Sequence, residues 1–216
     1  MNTSKKDNLQ YNLNRIRYGR DCLRFLSLEI IMGEQQPHHG HGSHSDQTHP
    51  SHLTHKTQGM TCLSCMVITC SDSRTPDSDT SGKLICHLLK EKGHSIAEYR
   101  IIKDEPTDIR KVLLQASCEE AIQVVIINGG TGISRRDSTF EAVDGFLEKR
   151  LEGFGELFRY LSYQDIGSAA MLSRATAGIH GGLVVFSIPG SQEAVRLAME
   201  QLILPELGHI AGELTK

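Results

Sequence analysis

The sequence predicts an α/β protein built on a mostly parallel sheet, and three observations carry that expectation. Short apolar runs rich in Val and Ile recur after residue 60 and alternate with segments whose apolar residues fall at helical spacing. Most of these runs are continuously apolar rather than alternating, as expected of strands covered on both faces. Each run ends in a polar turn rich in Gly, Ser, Thr or Asp, the punctuation of repeated βαβ units.

Met66–Cys70 reads as a buried strand ended by Ser71-Asp72-Ser73-Arg74-Thr75-Pro76. A helix follows from about Asp79, with Leu84, Ile85, Leu88 and Leu89 on one face and Gly93 as its stop. Ile96–Ile102 reads as a second strand, closed by Lys103-Asp104-Glu105-Pro106, and Thr107 is placed to cap a helix carrying Ile109, Val112, Leu113 and Ala116. Val124–Ile127 is β-branched throughout and runs into Gly129-Gly130-Thr131-Gly132. Ser138 and Glu141 have the spacing of a capping box at the start of another helix. Helical stretches are expected around Phe154–Leu161 and Ala169–Ala177, then a fourth strand over Leu183–Ile188 and a last helix over Ser191–Leu204.

The chain has 216 residues, 38% of them hydrophobic, which is enough for one ordinary core and excludes a wholly disordered or fibrous protein. No apolar run approaches the length of a membrane span, and Arg24 and Glu29 break the only segment near the N-terminus that resembles a leader. Six cysteines are too few for a disulfide scaffold, so reduced thiols and a cytoplasmic location are expected. Residues 61–216 carry 16 basic against 21 acidic side chains, a balance that disfavours a nucleic-acid partner. Residues 1–60 read as a separate extension. Seven of the 11 histidines lie between residues 33 and 59, in a low-complexity stretch expected to be mobile, and Met32 just before it offers an alternative start.

Ligands of open parallel sheets bind beyond the carboxyl ends of the strands. The residues expected there are Ser71, Asp72 and Ser73 after the first strand and Asp104 after the second. Gly129, Gly130, Thr131, Gly132 and Asp137 follow the third, and Pro189, Gly190 and Ser191 the fourth. The glycine loop lets backbone N–H groups approach an anion without interference from a Cβ. It lacks the Lys-Ser/Thr of a phosphate-binding P-loop and the final glycine of a dinucleotide fingerprint, and it reads equally as a plain strand-to-helix turn. Asp104 and Asp137 could share a Mg²⁺ that bridges to a phosphate; taken singly they read as a turn residue and a helix cap. Arg135 and Arg136 are further candidates for phosphate oxygens. Cys62 and Cys65 have metal-ligand spacing without a second pair, and Cys70, Cys86 and Cys118 read as core positions. The histidine tract would bind Ni²⁺ or Zn²⁺, or serve only as a linker.

Five blocks, "VITCSDSRTPDSDTSG", "IIKDEPTDI", "IINGGTGISRRDSTFEAV", "GFGELFRYLSYQDIGSAAMLSRATAG" and "VVFSIPGS", resemble in order and spacing the MoaB/MogA family of molybdenum cofactor biosynthesis. The likeness covers residues 66–210 and is nearest the MoaB branch. It implies a three-layer αβα molybdopterin-binding fold, assembly as a homotrimer or hexamer, and transfer of AMP from Mg-ATP to molybdopterin with release of pyrophosphate. By the same resemblance Asp104 and Asp137 are the catalytic aspartates. Ser71, Asp72, Ser73, Gly129, Gly130, Thr131, Gly132, Ser134, Thr139, Ser173, Arg174, Pro189, Gly190 and Ser191 match the ligand-contacting segments. Lys103 and Gln192 stand where the family often has proline. A molybdopterin carrier without catalysis and a metal-buffering role for the histidines are the competing readings.

Overall fold

The computed structural model describes residues 62–214; the extension, its histidines and Met32 lie outside them. A six-stranded sheet has the order β2-β1-β3-β6-β5-β4, formed by β1 Ser64–Cys70, β2 Ser95–Ile102, β3 Val124–Asn128, β4 Lys149–Arg150, β5 Thr176–His180 and β6 Leu183–Ile188. Strands β2, β1, β3 and β6 run parallel, whereas β5 and β4 are antiparallel to their neighbours. The chain leaves β1 for β2 on one side and returns to place β3 on the other. Between β1 and β3 the strand order therefore reverses, which opens a crevice at their carboxyl ends.

Among the described residues six α-helices flank the sheet: α1 Thr80–Glu91, α2 Pro106–Ser117, α3 Thr139–Asp144, α4 Glu152–Ile166, α5 Gln192–Ala198 and α6 Leu204–Glu213. One face of the sheet packs on α1, α4, α5 and α6 through Ile85, Leu89, Phe158, Val195 and Leu207. The opposite face packs on α2 and α3 through Ile109, Leu113, Ala142 and Val143. This is the three-layer αβα arrangement. Val124 to Ile127 are each fully buried, which accounts for a run with no polar alternation.

Four local expectations are corrected. Ala169–Ala177 is not a helix: a 3₁₀ segment covers Gly167–Leu172 and the chain then enters β5. That strand is hard to recognise because Gly178 must be small; a Cβ there would collide with the backbone of Lys149 on β4. The short β4 itself had no recognisable pattern. The Ser138–Glu141 capping box does not form, since the Ser138 hydroxyl donates to Asp104 (2.9 Å) and makes no cap bond within α3. Glu105, not Thr107, stands at the N-cap of α2, with Pro106 in the first turn. The final helix also runs past Leu204. A π-helical turn over Met199–Ile203 precedes Pro205, so the ring that would clash with the carbonyl four residues earlier is accommodated by widening rather than by stopping.

Among the described residues no helix is long and apolar enough to cross a membrane.

Candidate functional site

A cavity of about 570 Å³ lies over the carboxyl ends of the parallel strands. Its walls come from Thr69–Ser71 at the end of β1, from Asn128 to Gly132 with Asp137 at and after the end of β3, and from Pro189–Ser191 after β6. The far lip is formed by Ser162, Asp165 and Ile166 of α4, by Leu172 and Ser173, and by Glu193 and Leu197 of α5.

The glycine loop needs glycine for reasons of space as well as conformation. Gly129 and Gly130 have φ of +96° and +61°, values that side chains rarely adopt. A Cβ on Gly129 would strike the carbonyl of Cys70, and one on Gly130 would strike the Asp104 carboxylate and the Thr139 hydroxyl. A Cβ on Gly132 would fall 2.6 Å from Oδ2 of Asp137. The two aspartates therefore sit against successive parts of one loop. Asp137 lines the cavity, and its Oδ2 accepts the Ser134 N–H at 2.9 Å. Asp104 lies behind the loop, buried and outside the cavity lining. Its Oδ1 accepts from the Ser138 N–H (3.2 Å), the Ser138 hydroxyl (2.9 Å) and the Thr139 hydroxyl (3.0 Å). Thr139 is likewise buried behind the loop and does not face the cavity.

The other predicted residues divide in the same way. Ser71 lines the cavity and its hydroxyl accepts from the N–H groups of Ser73 and Arg74. Asp72 and Ser73 point elsewhere and are exposed. Asp72 pairs with Arg136 (2.7 Å), whose hydrogen bond holds the carboxyl below its ordinary range. Arg136 also binds Glu105 at 2.6 Å and is thereby committed to rim carboxylates. Ser173 lines the cavity, whereas Arg174 grips the glycine loop from outside: Nε donates to the Thr131 carbonyl at 2.8 Å and a terminal nitrogen to the Gly132 carbonyl. The same guanidinium pairs with Glu141 and sits 4.8 Å over the Phe140 ring. Pro189, Gly190 and Ser191 line the cavity, and the Ser191 hydroxyl caps α5 through Ala194 N–H at 3.2 Å.

Several residues of the site were not anticipated. Asp79 is fully buried at the N-cap of α1, where its Oδ1 accepts from Gly82 N–H (3.0 Å) and Arg74 (2.8 Å) and its Oδ2 from the Tyr99 hydroxyl. Burial alone would raise its pKa, yet these bonds together with one from Thr69 bring it below the usual carboxylate range. Asn128 donates to the Ile68 carbonyl (3.2 Å) and to the Thr69 hydroxyl (2.8 Å). These bonds fix which end of its amide is nitrogen, and the buried Oδ1 has no partner among the described residues. The only legible signals were an Arg two residues after the Ser71–Asp72 pair and the Asp79-Thr80-Ser81-Gly82 helix start.

Among the described residues, Cys62 and Cys65 find no further ligand that would complete a metal site. Cys65 is buried in β1 and burial pushes its thiol up to about 12, where it stays protonated. No group of three or more His, Cys, Asp or Glu among the described residues is placed to hold a metal ion.

Comparison with known proteins gives a consistent picture. Residues 66–209 match the family model described as "Probable molybdopterin binding domain". Molybdenum cofactor biosynthesis protein B of Bacillus cereus is 56% identical over 151 residues, covering 69% of this chain and 89% of that one. A crystal structure of a molybdenum cofactor biosynthesis protein B superposes with a TM-score of 0.69 at 55% identity, covering 71% of this chain and 96% of the other. The tungsten cofactor synthesizing protein MoaB from Pyrococcus furiosus superposes with a TM-score of 0.65 at 38% identity, covering 72% and 98%.

Proposed function

We propose, from the premise that this chain belongs to the MoaB/MogA family of molybdenum cofactor biosynthesis, that it binds molybdopterin and transfers AMP to it from Mg-ATP. The observation that carries the reading is the meeting of Asp137 and the glycine loop on one wall of a cavity fed by the parallel strand ends.

The terminal phosphate of molybdopterin would attack the α-phosphate of ATP, forming one P–O bond while the bond to the leaving pyrophosphate breaks. No side-chain nucleophile is needed, so positioning and neutralisation of charge carry the rate. The glycine loop supplies backbone N–H groups for phosphate oxygens. Asp137 faces the cavity with one oxygen that has no partner among the described residues and would hold the magnesium that accompanies ATP; Asp104, whose Oδ1 is taken by the bonds behind the loop, would share that ion only through Oδ2, the oxygen that lies against Gly130. A pair of carboxylates completed by substrate phosphates suits that ion, which would supply charge neutralisation. The apolar lip formed by Ile166, Leu172 and Leu197 offers a surface for a flat heterocycle.

The test is an adenylylation assay with molybdopterin and Mg-ATP. Asp137→Ala is expected to abolish AMP transfer while pterin binding and the fold persist. Tight pterin binding without turnover in the unaltered protein would select the carrier reading instead. Unchanged turnover in the variant would remove Asp137 from the reaction.

Assembly as a homotrimer or hexamer belongs to the same proposal. Its support is an exposed apolar face on α4 and the following 3₁₀ turn, where Leu157, Tyr160, Tyr163, Met171 and Leu172 are each more than half exposed.

A further inference from the structure

We propose that Arg74, held in place by the buried carboxylate of Asp79, is the side chain that grips a phosphate of the ligand in this cavity. The inference rests on the reading that the cavity takes phosphate-bearing ligands, and it names the cation that receives them.

The cavity wall is acidic. Asp137, Asp165 and Glu193 line it, and among the described residues Arg74 is its only Lys or Arg. Two other arginines near the rim are committed elsewhere, Arg136 to Asp72 and Glu105, and Arg174 to the loop carbonyls and Glu141, and Arg135 is exposed outside the cavity lining. A multiply charged anion entering such a wall has one side-chain cation to meet.

Arg74 is built for that task. One terminal nitrogen donates to Asp79 at 2.8 Å and the other to the Gly190 carbonyl at 2.8 Å. Five N–H groups radiate from a guanidinium, so three remain, and none of them has an acceptor among the described residues. The side chain is 28% exposed while Asp79 is fully buried. The tether is therefore anchored inside and the unused edge is open. Asp79 is in turn held by Tyr99, Gly82 and Thr69, and Thr69 by Asn128. Gly190, the second anchor, is also held by the Ser81 hydroxyl at 2.8 Å and packs directly on Gly129. A fork fixed at two points loses little freedom when it binds a phosphate. Lysine has no planar fork and cannot hold both anchors and still present a directed donor pair.

The experiment compares phosphorylated ligands with their dephosphorylated partners. Binding of ATP against adenosine, of molybdopterin against its dephosphorylated form, and of inorganic pyrophosphate alone is measured by calorimetry for the unaltered protein, Arg74→Ala and Arg74→Lys. The phosphorylated-to-dephosphorylated affinity ratio is expected to fall about tenfold to a hundredfold in Arg74→Ala for at least one pair, the equivalent of one hydrogen bond to a charged group. Arg74→Lys, which keeps a charge beside Asp79 and preserves the fold, is expected to show a smaller fall in the same ratio. A fall for ATP places the contact on the nucleotide, and a fall for molybdopterin places it on the pterin phosphate. Loss of affinity shared equally by phosphorylated and dephosphorylated ligands would mean a purely structural arginine and would overturn the inference, as would unchanged ratios. If the unaltered protein binds pyrophosphate through Arg74 but transfers no AMP, the inference stands and adenylylation falls. If it binds none of the phosphorylated ligands, both fall.

Discussion

Gly153 and Gly155 lie two residues apart in the first turns of α4, and replacing each by alanine separates helix propensity from packing. A Cβ on Gly153 meets nothing within 4 Å, whereas one on Gly155 falls 2.7 Å from the carbonyl oxygen of Ala175 and 3.2 Å from the Arg159 guanidinium. Both substitutions gain up to about 1 kcal/mol of helix propensity. Gly155→Ala must also push α4 away from the segment that enters β5, by roughly the few tenths of an ångström to 1 Å that restore ordinary contact. Overpacking of this kind costs about 1–3 kcal/mol. Gly153→Ala is therefore expected to be neutral or stabilising, and Gly155→Ala to be less stable than it by about 1–3 kcal/mol. Urea denaturation followed by circular dichroism reads this directly, as a midpoint difference on the order of 1 M at the slopes usual for such domains. The displacement has a functional side, because α4 carries Ser162, Asp165 and Ile166 into the cavity lip. Ligand affinity should weaken in Gly155→Ala and hold in Gly153→Ala. Equal stability of the two variants would refute the packing account of this helix.

Two further outcomes are expected. Asp104→Ala removes the acceptor of three hydrogen bonds and should cost about 1–3 kcal/mol; Asp104→Asn keeps an oxygen there and should cost less. AMP transfer falling about a hundredfold in Asp104→Asn, at near-normal stability, would assign the effect to the charge, and full activity would make Asp104 a structural cap of α3. The solution mass should correspond to three or six chains, and Leu157→Glu with Tyr160→Glu should shift it toward the single chain; a native protein that sediments as a monomer would refute the assembly.

Much of the architecture was legible because three of the four parallel strands, β1, β3 and β6, are buried on both faces. Val124–Ile127 and Leu183–Ile188 could hardly be anything else. What escaped were elements whose residues are chosen for contact rather than propensity. Strand β5 reads Thr-Ala-Gly-Ile-His because Gly178 lets β4 approach, and nothing in those letters distinguishes it from a helix end. Ser138 looked like a cap because its spacing to Glu141 is right, but a buried carboxylate from another turn competed for its hydroxyl and won. In the site, glycines and loop aspartates were visible as motif letters, while Asp79 and Asn128 were not. Their importance comes from burial and from partners 20 to 60 residues away, a property no local window contains.

The grip of Arg174 on the carbonyls of Thr131 and Gly132 bears on timing. A trans peptide unit with its oxygen tethered cannot swing over, and planarity aims the following amide hydrogens, those of Gly132 and Ile133, the opposite way. The polarity of that stretch is thus settled when the chain folds. On the proposed reading, an arriving anion would meet a prepared surface, and encounter rather than loop reorganisation is expected to set the pace of capture.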